Sequence, residues 1–169
     1  AFVGAKTVFE GVASSFEVTG RGAARYYYRV RADTIDGDPS GWSNVEWVDV
    51  LWEHEPNDDA LTQANGPIVS GLTYYGTFPL LEDRVDHFFF DMPTAKRVDI
   101  FLSKIPPFND YDLYLLDAGL GLVALSERPG SLEEHIATSV LPAGRYYIRV
   151  VNAKSLVSTQ AYQLKPEFE

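Results

Sequence analysis

The feature that most constrains this chain is a two-residue period. Aromatic and β-branched residues alternate with polar ones in short runs, each bounded by Gly, Pro, Asn or Asp. Successive side chains of a strand point to opposite faces, so such a pattern builds half-buried strands rather than helices. Strands are expected at 6–10, 15–19, 25–32, 43–51, 73–78, 86–92, 97–103, 112–117, 122–126, 135–141, 145–152 and 161–166. Turn chemistry separates them at 37–41 (Gly-Asp-Pro-Ser-Gly), 105–110 (Ile-Pro-Pro-Phe-Asn-Asp) and 141–144 (Leu-Pro-Ala-Gly). One short helix is expected at 58–64, where Asn57 or Asp58 could cap Ala-Leu-Thr-Gln-Ala. The expected class is therefore all-β, arranged as a sandwich.

Charge and composition exclude several functions. Lys and Arg number 14 against 24 Asp and Glu, a formal charge of −10, so no basic surplus exists to displace counterions from a nucleic acid. Apolar runs such as Leu113-Tyr114-Leu115-Leu116 are far shorter than the roughly 20 residues of a membrane-spanning helix, and no membrane partner is expected. The absence of cysteine removes disulfides, Cys-liganded zinc and thiol catalysis together. The start, Ala-Phe-Val-Gly, has neither an initiator Met nor a signal-peptide pattern and reads as a fragment of a longer chain.

The chain changes character at Trp52. Glu53-His-Glu-Pro-Asn-Asp-Asp59 is a poor core strand and a good linker, dividing the sequence into 1–51, an acidic segment 52–66, and 67–169. In the first part Arg25-Tyr-Tyr-Tyr-Arg-Val-Arg-Ala32, Gly41-Trp-Ser-Asn44 and the run 45–50 resemble the last strands of a fibronectin type III domain. The alternation sets Tyr26, Tyr28, Val30 and Ala32 on one face, with Tyr27, Arg29 and Arg31 on the other. An immunoglobulin-like sandwich of this kind takes about 100 residues, so only a partial one is expected. Its inner face, with Phe16, Tyr28 and Val30, needs a cover, and a second copy of the chain is one candidate.

In the second part Glu53-His-Glu-Pro-Asn-Asp-Asp59, Gly76-Thr77, Asp83-Arg-Val-Asp-His-Phe-Phe-Phe-Asp91, Asp112-Leu-Tyr-Leu115 and Gly144-Arg-Tyr-Tyr-Ile-Arg-Val150 occur in order. Together they are similar to the bacterial pre-peptidase C-terminal domain, which includes the collagen-binding domain of clostridial collagenases. The resemblance implies a jelly-roll-like β-sandwich, a calcium site, no catalysis of its own, and a parent protease or other hydrolase domain in the same secreted chain.

The acidic residues suggest calcium on their own chemistry as well. Glu53 and Glu55, two apart in an extended segment, point the same way, with Asn57 following. Asp83 and Asp86 offer a second pair of carboxylates. Hard oxygen donors suit Ca²⁺, which takes 6–8 of them. Glu53, Glu55, Asp58, Asp83 and Asp86 together carry −5; one Ca²⁺ leaves −5 + 2 = −3 and two leave −5 + 4 = −1. Paired ions neutralise the group better, and the collagenase resemblance implies a paired site, with a backbone carbonyl near Thr77 added by alignment. Zinc is disfavoured because His54 and His87 alternate away from the acids. Asp112, like Asp110, is expected to serve a turn at a strand entrance.

No Gly-x-Ser-x-Gly or His-Glu-x-x-His motif accompanies His54, His87 and His135, and His135 is expected to face solvent. The expected function is a calcium-stiffened spacer or terminal module of a secreted hydrolase. The alternative is a targeting module for collagen or another extracellular polymer. Collagen-binding members carry outward aromatics where this chain has Arg149, Val151 and Ala153, which disfavours collagen. Arg145 with Arg149, or the loop around Phe108, remain as surfaces for a different ligand.

Overall fold

A computed structural model describes residues 6–33 and 37–169. Strands β1 (Ala24–Tyr28) and β2 (Glu46–Val50) form an antiparallel hairpin. Eight more follow: β3 (Tyr74–Phe78), β4 (Val85–Met92), β5 (Val98–Ser103), β6 (Tyr111–Asp117), β7 (Leu122–Ser126), β8 (Glu134–Ala137), β9 (Gly144–Asn152) and β10 (Ser158–Phe168). They make two antiparallel four-stranded sheets, ordered β3-β10-β5-β8 and β4-β9-β6-β7. Apart from the β6–β7 hairpin, every connection from β3 onward passes from one sheet to the other. The result is a jelly-roll-like β-sandwich.

The two-residue period explains the core. Phe88 and Phe90 of β4, Ile148 and Val150 of β9, and Leu113 and Leu115 of β6 are fully buried from one sheet. Tyr74 and Phe78, Ile100 and Leu102, and Tyr162 and Leu164 meet them from the other. Each such side chain contributes about 1.5–3 kcal/mol by leaving water.

Both sheets begin with an edge strand, β3 in one and β4 in the other, and the acidic segment straddles this edge. On one side it runs parallel to β3: Tyr75 N–H donates to Leu51 O, and Glu53 N–H donates to Tyr75 O at 3.0 Å. On the other it joins β4: Asn65 N–H donates to His87 O, and Phe89 N–H donates to Asn65 O at 2.8 Å. Edge groups that would otherwise invite another chain are thus paired.

The helix expected at 58–64 is a single turn. Asp59, not Asn57 or Asp58, caps it: Asp59 Oδ1 accepts from the N–H groups of Leu61 and Thr62 at 3.0 and 2.9 Å. A segment this short cannot offset helix nucleation, and Asn65 must already be extended to meet β4. Ala60 and Ala64 instead pack on Leu116, Tyr147 and Phe89 of the outer sheet surface.

The N-terminal part also departs from expectation. Residues 6–10 and 15–19 form no strands; Phe9 and Phe16 stack at 4.6 Å and stay partly exposed. A strand needs a neighbour, and among the described residues neither segment pairs with one. The ladder of β1 stops at Tyr28. Beyond it Ser43 and Ser40 hydroxyls accept from Val30 and Ala32 N–H groups in place of ladder carbonyls. Val30, expected on an inner face, is 71% exposed. Expectations that fall on 1–5 and 34–36 lie outside the described residues.

Candidate metal centre

Four elements converge where the acidic segment crosses the sandwich edge. Glu53 lies against β3, with its carboxylate passing over Gly76. A Cβ on Gly76 would stand 2.4 Å from Glu53 Oε2 and 2.2 Å from the Tyr162 hydroxyl oxygen. Thr77 N–H donates to Glu53 Oε1 at 2.5 Å. Asp86 shares the inward alternation of Phe88 and Phe90, so its carboxyl enters the interior and is 0% exposed. From β10, the fully buried Tyr162 donates its O–H to Asp86 Oδ2 at 2.5 Å and lies 3.3 Å from Glu53 Oε2.

Glu53, Glu55 and Asp86 each offer an oxygen, all within 4.8 Å of one another, a trio able to hold a metal ion. Two full charges at that distance repel by about 3–4 kcal/mol at an effective dielectric near 20. Burial first, with neighbouring carboxylates added, pushes the Glu53 carboxyl up to about 8 and Asp83 up to about 7. Asp86 is driven well above the ordinary carboxylate range by burial and then by Glu53. Glu55, on the outer side, is raised by burial and by Asp58.

Hydrogen bonding within the chain leaves this site unfinished. Asn57 Oδ1, both carboxyl oxygens of Asp83, and Asp86 Oδ1 are buried with no donor. Orphaned buried acceptors each cost about 1–3 kcal/mol, more when charged. All are hard oxygens, the donor set of Ca²⁺. Asp83 stands outside the trio but is raised by Glu55, Asp58 and Glu82 after burial, which places its charge beside theirs. Asp58 is exposed.

The segment is pinned by residues that do not belong to the oxygen cluster. His87 Nδ1–H donates to Asn57 O at 3.1 Å, and Arg149 Nε–H donates to His87 Nε2 at 3.2 Å. Both ring nitrogens are thus committed, the imidazole is neutral, and burial lowers its pKa. Asn65 is a second pin: its Oδ1 accepts from Ala23 N–H at 3.0 Å and His54 N–H at 2.9 Å, tying the N-terminal part to the acidic segment.

Of the acids and amide expected together, Glu53, Glu55 and Asp86 meet, and Asn57 Nδ2 donates to Glu53 Oε2 at 3.3 Å; Asp83 is buried outside the trio and Asp58 is exposed. Thr77 contributes an N–H and a hydroxyl toward Glu53, the hydroxyl at 3.5 Å, where a carbonyl was expected. Tyr162 and Tyr111 are not signalled by spacing. Tyr111 is fully buried with an unpartnered hydroxyl, its pKa raised by burial and then by Asp86, Asp83 and Glu53. Only the fold brings these phenols to the acids: Tyr162 of β10 reaches Asp86 across the sandwich, and Tyr111 of β6, two places from β4 in its sheet, packs edge-on against Tyr162.

The surface candidates are engaged within the chain. Arg145 forms a two-pronged pair with Asp91 at 2.8 and 2.9 Å and lies over the Phe89 ring. Arg149 holds His87 and faces Tyr114; Val151 is half-buried beside them. Asp112 is not at a turn: it lies inside β6, half-buried, and burial followed by Glu127 pushes it up to about 6. Asp110 does hold a loop, accepting from Gly130 N–H at 2.9 Å.

No protein-family model matches the sequence, and no curated protein matches it. Among solved structures, the chain is similar to the pre-peptidase C-terminal domain of collagenase from Bacillus anthracis. The TM-score is 0.48 with 18% identity, over 58% of this chain and 90% of that one.

Proposed function

We propose that the chain is a non-catalytic calcium-binding module of a secreted bacterial hydrolase, a protease in the resemblance its motifs carry, and serves as a calcium-stiffened spacer or terminal domain. The observation that supports this most is the set of orphaned buried oxygens on Asn57, Asp83 and Asp86 beside the trio Glu53, Glu55 and Asp86. A cation would satisfy the lone pairs and cancel the repulsion in one step. Glu53, Glu55 and Asp86 would hold one ion; Asp83, with Asn57 and Asp58, extends the donor set toward a second. Calcium would supply charge neutralisation only, while Tyr162 orients Asp86 and Thr77 orients Glu53.

Stiffening follows from position. The acidic segment joins the N-terminal hairpin to the sandwich edge through Asn65 and through the Trp52–Tyr75 stack at 5.1 Å. Neutralising its carboxylates would hold that junction in place. The collagen reading gains little support, because the outward strand positions carry Arg149 and Val151, and nearby Tyr114 is tied to Glu127.

Calorimetric titration of Ca²⁺ into the chelator-stripped chain tests the proposal. Saturable binding that Glu53→Gln weakens at least about 100-fold, roughly 2.7 kcal/mol, is the expected result. Wild-type protein that takes up no calcium would overturn it.

A further inference from the structure

Three parts of the fold meet on one residue, Asn65. Its N–H donates to His87 O at 2.9 Å and its carbonyl accepts from Phe89 N–H at 2.8 Å, so its backbone lies extended beside β4. Its side chain is committed as fully. Oδ1 accepts from Ala23 N–H at 3.0 Å and from His54 N–H at 2.9 Å, and Nδ2 donates to His54 O at 3.3 Å. These five hydrogen bonds tie the N-terminal part, the acidic segment and the sandwich together.

The next residue is glycine, and the fold demands that too. A Cβ on Gly66 would stand 2.5 Å from Phe89 O and 2.7 Å from the Phe89 ring, and φ there is 153, a conformation that side-chain-bearing residues rarely adopt. Of the five asparagines, at 44, 57, 65, 109 and 152, Asn65 alone precedes glycine. That pair is chemically labile. With no side chain on residue 66 to hinder it, the Gly66 amide nitrogen can reach Asn65 Cγ. Packing thus keeps a reactive dipeptide at the point where the three parts are joined.

In the folded chain the reaction is blocked. Ring closure needs the 65–66 peptide to swing out of the extended conformation until Gly66 N faces Cγ, and the side-chain amide must turn with it. The first movement breaks the two bonds to β4, and the second breaks the three to Ala23 and His54. Asn65 is also only 4% exposed. Local opening of the segment has to come first.

We propose that Asn65 is a deamidation site gated by docking of the acidic segment, and that its conversion releases the N-terminal part irreversibly. When the segment lifts from β4, Gly66 N gives its proton to hydroxide and attacks Asn65 Cγ. The Cγ–Nδ2 bond breaks, Nδ2 leaves as ammonia with a proton from water, and a succinimide remains. Water then opens the ring, at Cγ to give aspartate or at the Asn65 main-chain carbonyl to give isoaspartate. The sum is one water consumed and one ammonia released. Neither product rebuilds the pin. Aspartate sets a carboxylate oxygen against His54 O, where Nδ2 had donated. Isoaspartate lengthens the main chain by a methylene between its two bonds to β4. Both add negative charge to a segment that already holds Glu53, Glu55, Asp58 and Asp59. The inference needs only the docked segment and is independent of what fills the metal centre.

Incubating the intact chain at neutral pH, in native buffer and in unfolding urea, then mapping peptides for aspartate and isoaspartate, tests the proposal. In urea Asn65 is expected to convert first among the five asparagines. In native buffer it should convert at least about 100-fold more slowly, because only the opened fraction reacts. Asn65→Gln, whose longer side chain closes a ring far more slowly, should remove the signal from this peptide. After conversion and refolding, trypsin should cut at Arg21 and Arg25 at least about tenfold faster than in unconverted chain refolded alongside, and Asn65→Asp should reproduce that sensitivity. Equal conversion in native buffer and urea would overturn the gating. Conversion of Asn109 or Asn152 ahead of Asn65 in urea would overturn the site, and converted protein as resistant to trypsin as the unconverted chain would overturn the release.

Discussion

The molecule holds two clusters of acids, and they are treated in opposite ways. Where β8 of the first sheet meets β7 of the second, Glu134 is 1% exposed, yet Ser126 Oγ and Arg128 N–H donate to its two oxygens. Nearby, Glu127 accepts from Tyr114 at 2.5 Å, and Asp110 from Gly130. At the sandwich edge, Asp83 is buried with no donor to either oxygen, and Asp86 and Asn57 are each left with one empty acceptor. Acidity and burial are similar; the supply of N–H and O–H donors is not. An acid whose oxygens are all provided with donors is a structural brace, whereas buried acceptors left without one could be completed by a cation.

That contrast can be broken by substitution. Asp86→Asn should remove the stabilisation by calcium, about 2.7 kcal/mol at 100 Kd, while leaving the melting midpoint in chelator unchanged or higher, since it deletes a repelled buried charge. A variant that lost the same stability in chelator as in calcium would make Asp86 a brace like Glu134. Thermal melts of both proteins in both buffers decide it.

The pH dependence sharpens the difference further. Glu53 and Asp83 hold protons more tightly when folded than their ordinary values near 4.5 and 3.8 allow. In chelator the stability this contributes is present below the ordinary values and is lost as pH rises through about 7 to 8. In calcium the carboxylates must be ionised, so the gap between calcium and chelator midpoints should widen from about pH 5 to about pH 8. A gap independent of pH would contradict the assignment of these carboxyls.

Smaller effects belong to the braced cluster. Glu134→Ala strands the Ser126 hydroxyl and the Arg128 N–H, and should cost about 1–3 kcal/mol equally in calcium and chelator. Asp112→Asn, at a half-buried side chain, should change stability by no more than about 0.5 kcal/mol and leave calcium stabilisation intact. Chemical denaturation with and without calcium measures both.

Alternation made most of the sandwich legible: each strand from β3 to β10 falls within a few residues of its expected place, because each has a buried and an exposed face. It failed where a strand would have no neighbour, at 6–10 and 15–19, since periodicity records what a segment could bury and not whether anything is there to receive it. The spacing of Glu53 and Glu55 exposed half of the candidate site. The phenols of Tyr162 and Tyr111, and the anchoring of the segment by His87 and Asn65, depend on strands distant in sequence packing together. No local spacing encodes them.

The claim at the centre of this account is that the sandwich edge is completed by calcium. Its most direct test is the melting midpoint of the unmodified chain near neutral pH, measured in saturating calcium and in excess chelator. The account predicts a midpoint several degrees higher in calcium, about 2–4 °C per kcal/mol for a chain of this size. Equal midpoints would contradict it.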